Sequence, residues 1–310
     1  MCTAISVGGN RHLFGRTLDV PVGYGERPIV LPRRCPLAFL HEGGVKEHPA
    51  IIGMGLLSGG FPLLFEAMNE AGLAIAALNF PLSARYGIHF GAKRRLASFE
   101  LIPYLLSLCK SAGEAAELLT EVEITAESVS PTLPATPMHW LIADRSEAFV
   151  AEPLASGLEI CKNPLGVLTN EPPFEEQSRE NAFVLDLTAK SRGTSAWSGA
   201  YGLRGDFSSS SRFGRALFAK RYGAPQDNAN EAQAALAFLR LLDTVSLPRG
   251  CVVSRAGELP YTVYASCISS EGFSYYCKRA DALVLCRYSC SEARRGGDRP
   301  FFAEEARALP

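Results

Sequence analysis

The chain has 310 residues, of which 47% are hydrophobic and 20% are charged, as in an ordinary soluble globular protein. Its formal net charge is -1, so neither nucleic acid nor an acidic membrane surface is an expected partner. No apolar run approaches the roughly 20 residues of a transmembrane helix, and the first residues lack the features of a signal peptide, which predicts a cytoplasmic protein.

The predicted elements follow one another in blocks. Two short β-prone runs begin the chain, and a turn at Gly8-Gly9-Asn10 joins them. The predicted strands are, in order, residues 2–7, 12–19, 29–31, 51–56, 73–79, 138–143, 148–152, 158–161, 167–169, 261–269, 273–278 and 282–288. Helical spacing of apolar residues predicts helices over 98–109, 111–122, 175–189, 211–222 and 230–244, with Ser98 and Ser111 as N-caps.

This order of blocks predicts the fold class. Strands, helices, strands, helices and strands fit an α+β fold with two antiparallel sheets face to face and helices outside, whereas a doubly wound parallel sheet needs strict alternation. The Pro-rich stretch 131–137 and the Gly/Ser-rich stretch 190–211 are predicted loops. We expect residues 2–310 to form a single domain, with residues 291–310 as a loosely held tail.

Neither the cysteines nor the histidines predict a metal site or another cofactor. Nine cysteines are scattered without a CxxC pair, and Cys277 and Cys286, which precede Cys290, lie in predicted strands. The histidines are scattered too, and none is assigned a role, although a Cys–His pair stays open. They are His12, His41, His48, His89 and His139, of which the last is expected to be structural.

Cys2 is a candidate nucleophile because it directly follows the initiator methionine. Methionine aminopeptidase acts when the second residue is small, so the mature chain would begin with a thiol and a free α-amine. The amine has a reference pKa of about 7.7–8.0, against about 8.5 for the thiol, so it can accept the thiol proton near neutral pH. One residue would then supply both nucleophile and base. The alternative is a cysteine with no role beyond its place in the chain.

Arg16 and Asp19 end the second predicted strand, in FGRTLD, beside the strand that begins with Cys2. Residues two apart share a face of a strand, so both reach Cys2 only if the strand bends or ends there. Asp19 could accept hydrogen bonds from the α-amine, and Arg16 could stabilise a thiolate. The alternative is a surface ion pair.

Asn79 and Asn170 each end a predicted strand, in LAIAALN and GVLTN. Two such amides can donate to the oxyanion of a tetrahedral intermediate, although asparagine is also common in turns. Arg212 lies near the start of a predicted helix, where a cation opposes the helix dipole unless it binds an anion. An exposed arginine is the alternative there.

The ordered set of these motifs resembles the choloylglycine hydrolase family, which contains bile salt hydrolases and penicillin V acylases. The resemblance runs from residue 1 to about residue 290. Its motifs are Met1-Cys2-Thr3, FGRTLD, GMG followed by EAMNEAGLAIAALNFP, MHWLIADR, GVLTNEP, GLRGDFSSSSRF and YTVYASC.

The resemblance implies a fold and a set of roles. The fold is the four-layer αββα sandwich of the N-terminal-nucleophile (Ntn) hydrolases. The implied catalytic residues are Cys2 as nucleophile, Arg16 and Asp19 beside it, Asn79 and Asn170 at the oxyanion site, and Arg212 near the thiol.

The chain departs from the family pattern at three places. Thr17 replaces an asparagine and Glu171 a serine that many members carry, and neither change removes a catalytic group. The stretch between Asn170 and Arg212 is shorter than in Gram-positive bile salt hydrolases, where it helps to build a tetramer. A homo-oligomer is therefore expected, without a choice between dimer and tetramer.

The resemblance favours hydrolysis of glycine- or taurine-conjugated bile acids through a thioester on Cys2, since Asn79-Phe80-Pro81 resembles the bile salt hydrolase form of that motif. Acylase activity on penicillin V or on N-acyl-homoserine lactones is the first alternative, and an inactive ligand-binding protein is the second. Apolar loop residues are expected to contact the steroid. They are Leu18, Val20, Tyr24, Phe61, Leu64, Phe65, Thr136 and Met138.

Overall fold

The computed structural model describes residues 1–87, 93–131, 133–187, 199–226, 228–282, 284–304 and 307–309. The strands are β1 (Cys2–Val7), β2 (Leu13–Val20), β3 (Arg27–Leu31), β4 (Leu37–Phe39), β5 (Gly43–Val45), β6 (Ile51–Ser58), β7 (Phe61–Asn69), β8 (Ala74–Asn79), β9 (Arg94–Ala97), β10 (Val122–Thr125), β11 (Met138–Ala143), β12 (Ala148–Leu154), β13 (Gly157–Lys162), β14 (Val167–Leu168), β15 (Tyr261–Ser269), β16 (Ser274–Arg279), β17 (Leu285–Ser289), β18 (Phe301–Phe302) and β19 (Arg307–Leu309).

The α-helices are α1 (Leu101–Leu108), α2 (Ala112–Leu119), α3 (Phe174–Glu180), α4 (Ser209–Gly223) and α5 (Glu231–Asp243). Side-chain caps begin three of them: Ser111 accepts from Glu114 N, Ser208 accepts from Ser211 N, and Asn230 forms a capping box with Gln233. The first helix begins after Glu100, so the predicted N-cap at Ser98 is wrong.

Two large antiparallel sheets form the centre of the molecule. The seven-stranded sheet has the order β14-β1-β2-β15-β16-β17-β19, and the eight-stranded sheet has the order β13-β12-β11-β8-β7-β6-β3-β18. Every residue of strands β1 and β2 is buried or half-buried, because both faces of their sheet are covered.

The sheets pack face to face, with helices on both outer sides. The larger core cluster lies between the sheets and beneath α4 and α5, where Phe213 and Phe238 belong to it. The second cluster lies between the eight-stranded sheet and α1 and α2, around Leu105 and Trp140. The predicted α+β fold of four αββα layers is confirmed.

Two further predictions of local structure were wrong. Residues 61–69, part of which was expected to be a loop, form the strand β7. The helix predicted over 175–189 ends at Glu180, and a 3₁₀ turn at Ala182–Leu185 follows. Much of the predicted loop 190–211 and the candidate His89 lie outside the described residues.

The C-terminal segment adds an edge strand to each sheet. Strand β18 pairs with β3, and β19 pairs with β17. Before these strands, Ala293 O accepts from Arg33 N at 2.9 Å. The segment was predicted to be a loosely held tail, and the structure instead places residues 301–302 and 307–309 on the sheet edges. Among the described residues, no helix is both long enough and apolar enough to cross a membrane.

Candidate active site

The position of Cys2 follows from the register of β1 and β2. Cys2 lies opposite Leu18, and Ala4 lies opposite Arg16. Residues directly opposite and residues two apart share a face, so Cys2, Arg16 and Leu18 all point toward the eight-stranded sheet. The Cys2 thiol is buried there and accepts a hydrogen bond from Arg16 Nη2.

Main-chain carbonyls of the facing sheet fix the Arg16 guanidinium. Its Nη1 donates to Ala77 O and, at 3.3 Å, to Phe65 O, while its Nε donates to Thr17 O at 3.2 Å. Burial alone would lower the pKa of Arg16, but the neighbouring Cys2 and Tyr264 raise it above its ordinary value. Arg16 therefore stays a cation beside the thiol.

Asp19 lies on the opposite face of β2, with Thr17. Its carboxylate accepts from Thr17 Oγ1 at 3.1 Å and from Thr262 Oγ1 at 2.6 Å, and it lies 3.9 Å from Arg212 Nη1. Burial raises the pKa of the Asp19 carboxyl, and Arg212 opposes that shift. Strand alternation thus directs Arg16 to the Cys2 side chain, while Asp19 on the other face lies near Arg212, which binds the Cys2 carbonyl.

Met1 still precedes Cys2 in this chain, so the Cys2 nitrogen is an amide that stands in for the α-amine of a processed chain. It donates to Asn170 Oδ1 at 2.8 Å. The amino group of Met1 donates to the backbone oxygen of Asp19 at 2.5 Å. The predicted bond from the Cys2 nitrogen to the Asp19 carboxylate is therefore not present here, and Asn170 is its acceptor.

Asn170 follows β14 and connects three parts of the site. Its Oδ1 accepts from Cys2 N and from Arg212 Nη2, both at 2.8 Å, and its Nδ2 donates to Asn79 O at 2.7 Å. A carboxamide nitrogen carries two hydrogens, so one donor of Asn170 is left for a substrate oxygen. The Asn79 side chain is exposed at the end of β8.

Arg212 is a fully buried cation in the first turn of α4. Its Nη1 donates to Cys2 O at 2.5 Å and to Thr3 Oγ1 at 2.7 Å. Burial lowers its pKa, while Asp19 and Cys2 oppose that change. Asp19 is an anion close to this arginine, and the alternative of an exposed arginine is wrong.

The site thus combines a buried thiol with two buried arginines and one buried carboxylate. The six residues predicted from the sequence lie together, because the ends of β1, β2, β8 and β14 and the start of α4 meet at this point. A thiol beside fixed cations is suited to nucleophilic attack on a carbonyl, and the neighbouring amides are suited to stabilise an oxyanion.

Comparison with known proteins decides the family. Residues 2–293 match the model of the linear amide C–N hydrolases, choloylglycine hydrolase family. The chain belongs to the choloylglycine hydrolase family. The chain is 36% identical to the bile salt hydrolase/transferase of Lactiplantibacillus plantarum over 296 residues, which cover 91% of this chain and 90% of that protein. It is 30% identical to the conjugated bile acid hydrolase of Lactobacillus gasseri over 315 residues, covering 96% and 99% of the two chains.

Solved structures show the same fold. A variant of conjugated bile acid hydrolase from Clostridium perfringens superimposes with a TM-score of 0.88 at 24% identity, covering 98% of this chain and 97% of that one. Penicillin V acylase from Agrobacterium tumefaciens has a TM-score of 0.77 at 20% identity, covering 97% and 90%. The Ntn-hydrolase fold expected from the choloylglycine hydrolase resemblance is confirmed.

The residues predicted to contact substrate fall into two groups. Leu18, Val20 and Phe65 belong to the cluster that contains Cys2, and the Tyr24 ring packs against Phe65 at 5.9 Å. The other four predicted residues are not part of that cluster. Phe61, Leu64 and Met138 pack in the second cluster, and Thr136 O accepts from Tyr86 OH at 2.7 Å.

One buried acid near the site was not predicted from the sequence. Glu66, in β7, accepts from Tyr264 OH at 2.8 Å and from Tyr275 OH at 2.6 Å. Its Oε2 lies 3.9 Å from Arg16 Nε. The detectable signal was a glutamate inside the apolar run FPLLFEAMN, because glutamate is almost never fully buried unless it is paired.

His139 supports the strand end that carries Asn170. One ring nitrogen lies 2.8 Å from Glu152 Oε1 and the other lies 2.8 Å from Thr169 O, the residue before Asn170. Its ring stacks on Phe80 at 4.1 Å. The prediction of a structural role is consistent with this full burial between partners.

Proposed function

We propose that the protein hydrolyses the amide bond that joins a bile acid to glycine or taurine, with Cys2 as the nucleophile. The observation that carries the proposal is the buried Cys2 thiol bonded to Arg16, in a chain that matches the choloylglycine hydrolase family along nearly its whole length.

The proposed reaction has two stages. The α-amine of Cys2, exposed after Met1 is removed, accepts the thiol proton, and Sγ attacks the substrate carbonyl carbon. The resulting oxyanion receives hydrogen bonds from Asn170 Nδ2 and from the Asn79 amide. The C–N bond then breaks, glycine or taurine leaves with the proton from the α-amine, and a thioester remains. Water, activated by the same amine, hydrolyses the thioester and releases the bile acid.

The remaining residues position the nucleophile. Arg16 stabilises the thiolate, and Asn170 orients the Cys2 nitrogen through its Oδ1. Arg212 binds the Cys2 carbonyl and is partly neutralised by Asp19, so that its charge is balanced without water. We propose Asp19 and Arg212 as positioning groups.

The proposed acyl pocket lies beside Cys2 and is lined by Leu18, Val20, Tyr24 and Phe65. A steroid is rigid and largely apolar, so most of its binding free energy should come from such a surface. The bile salt hydrolase/transferase of Lactiplantibacillus plantarum and the conjugated bile acid hydrolase of Lactobacillus gasseri, at 36% and 30% identity, support a bile acid as the acyl group.

One assay tests the substrate. Release of free amine should be measured in parallel from glycine and taurine conjugates of several bile acids and from penicillin V. We expect a change of steroid to alter kcat/KM more than a change from glycine to taurine, because the small amine part is charged and more exposed. If penicillin V is cleaved faster than every bile salt, the bile acid proposal fails and penicillin acylase activity replaces it.

We also propose a cytoplasmic homo-oligomer. Light scattering coupled to size-exclusion chromatography of the purified protein tests the oligomeric state, and fractionation of the producing cells tests the location. A strictly monomeric protein that is fully active would contradict the first part, and recovery of the activity outside the cytoplasmic fraction would contradict the second.

A further inference from the structure

Glu66 is a buried carboxylate that connects the two sheets beside the thiol. It extends from β7 in the eight-stranded sheet and is fully buried. Each of its oxygens accepts from a tyrosine hydroxyl of the seven-stranded sheet, Tyr264 at 2.8 Å and Tyr275 at 2.6 Å. Its third neighbour is Arg16, with Nε 3.9 Å from Oε2.

We propose that Glu66 is the ionised counter-charge of Arg16, and that it acts as a positioning residue that weakens the positive field of Arg16 at the Cys2 thiol. This inference rests on the proposed function, in which Cys2 is the nucleophile. It predicts that the reactivity of Cys2 depends on a carboxylate that does not touch it.

The contacts of Glu66 supply what an ionised carboxylate needs. Burial raises the pKa of Glu66 above its ordinary value, and Arg16, followed by the hydroxyls of Tyr275 and Tyr264, limits that rise. Burial raises the pKa values of Tyr264 and Tyr275 well above the ordinary value for tyrosine, and the neighbouring Glu66 adds to this rise. Both hydroxyls therefore remain protonated and act as donors. Two donated hydrogen bonds and an adjacent cation are what a buried carboxylate requires to keep its charge.

The position of Arg16 does not depend on Glu66 alone. Three of its hydrogen bonds go to the main-chain oxygens of Thr17, Phe65 and Ala77. Loss of the Glu66 charge should therefore leave the guanidinium beside the thiol, with a stronger net positive field. The effect on Cys2 is electrostatic, and it is separable from the packing role of the glutamate.

Several other charged or titratable groups surround the thiol and Glu66. On the Cys2 side they come from β1, β2, the loop after β2 and α4, and on the Glu66 side they come from β2, β15 and β16. They are the amino terminus, Arg16, Asp19, Tyr24 and Arg212 for Cys2, and Arg16, Tyr264, Tyr275 and Cys277 for Glu66. The substitution Glu66→Gln changes none of them directly, so it isolates the charge of Glu66.

The test is the pH dependence of Cys2 alkylation by iodoacetamide, measured without substrate. The background should carry Cys251→Ser, because Cys251 is an exposed thiol that would also react. In Glu66→Gln, we expect the midpoint to move down by about 1.5 pH units, as for loss of a unit charge roughly 8 Å away at an effective dielectric constant near 20.

Two matched variants separate charge from structure. Tyr275→Phe removes one hydrogen bond to Glu66 and keeps the carboxylate, so its midpoint should stay close to that of the parent. Glu66→Asp restores a carboxylate one methylene shorter, and its midpoint should return toward the parent value. A role in packing alone would lower Tm in all of these variants and leave every midpoint in place.

An unchanged or raised midpoint in folded Glu66→Gln overturns the proposal. If that variant does not fold, infrared spectra of the parent labelled with ¹³C-glutamate decide instead. If the parent shows the band of a protonated, buried carboxyl at neutral pH and Glu66→Asp moves that band, Glu66 is protonated and the proposal is overturned. If the parent shows no such band, the proposal is supported. Because alkylation needs no substrate, a shifted midpoint in a protein that cleaves no bile salt would refute only the proposed function.

Discussion

Three atoms of Cys2 have three separate partners. The thiol accepts from Arg16, the nitrogen donates to Asn170, and the carbonyl accepts from Arg212. The nitrogen partner is an amide oxygen, which can accept equally from a peptide N–H or from an α-amine. The site is therefore already arranged for a chain that begins at Cys2.

Active protein should lack Met1. The α-amine of Cys2 can serve as base only when no residue precedes it, and Met1 instead makes the Cys2 nitrogen a non-basic amide. Mass spectrometry of the intact protein, together with the specific activity of each species, provides the measurement. Full activity in a species that retains Met1 would show that another group is the base.

Substitution of the nucleophile should separate chemistry from folding. Cys2→Ala should abolish turnover, and Cys2→Ser should lower kcat on the order of 10³-fold or more, because a hydroxyl has a much higher pKa than the thiol. Circular dichroism should show an intact fold in both. The matched control is Cys251→Ser at an exposed cysteine, which should leave kcat unchanged. Turnover by Cys2→Ala at the parent rate would refute the assignment.

At the scale of elements, strand ends assemble the site. Asn170 follows the two-residue strand β14, and Asn79 ends β8 in the other sheet, yet Asn170 Nδ2 lies 2.7 Å from Asn79 O. The proposed oxyanion site thus bridges the two sheets, and its geometry depends on how closely they pack.

Replacement of either asparagine should reduce kcat. Asn79→Ala should lower kcat on the order of 10²–10³-fold with little effect on Tm, because its side chain is exposed. Asn170→Ala should cause a similar loss and also lower Tm, since three hydrogen bonds disappear, two of them buried.

The matched control for these variants is Asn163→Ala. Asn163 is a buried asparagine in the turn before β14, and its amide bonds Val167 O at 3.0 Å and Gly166 N at 2.8 Å. The Asn163→Ala variant should have a lower Tm and an unchanged kcat. A rise in KM with unchanged kcat in Asn79→Ala or Asn170→Ala would mean uniform binding of substrate, which would contradict an oxyanion role.

The sequence predicted most elements because their patterns are local. The strands β1 and β2 have β-prone residues bounded by a glycine turn, and α5 carries its own capping box. Strand β7 was missed because Pro62 and Glu66 are unusual inside a strand, and only pairing across the sheets explains the glutamate. The edge strands β18 and β19 were missed because two or three residues carry no periodicity.

The candidate catalytic residues could be proposed for a different reason. Most of them lie at or near the end of an element, and the resemblance to the choloylglycine hydrolases connected them, together with Arg16 inside β2, before any register was known. Residues that act from inside a strand, such as Glu66 and Tyr275, have no such signal. Phe61 and Leu64 were assigned to the substrate pocket because their stretch looked like a loop, and as parts of β7 they pack on the helix side of the sheet.

At the scale of the whole molecule, buried ionisable groups make the free energy of unfolding depend on pH, and the sign of the dependence differs between groups. Burial raises the pKa values of Asp19 and Glu66, so these carboxyls contribute less stability as the pH rises and they ionise. His12 has the opposite sign. Its neutral ring fits its partners, since one nitrogen faces Gly72 O at 2.9 Å and the other faces Ser6 Oγ at 3.0 Å.

Acid should therefore destabilise the protein through His12. Burial lowers its pKa from 6.5 to about 4, so the unfolded state binds a proton in a pH range where the folded state does not. The contribution of His12 is fully present above pH 6.5 and is lost as the pH falls toward 4. The loss should reach about 3 kcal/mol in the free energy of unfolding.

Urea denaturation between pH 7 and pH 4 measures this loss, in the parent and in His12→Asn. Asparagine can donate to Gly72 O and does not titrate, so the variant should be less stable at pH 7 but should lose less stability on acidification. His41→Asn, at a part-exposed ring, is the matched control and should follow the parent. The raised pKa values of Asp19 and Glu66 act equally in all three proteins and cancel in the comparison. If His12→Asn and the parent lose stability in parallel, His12 is not the group that titrates.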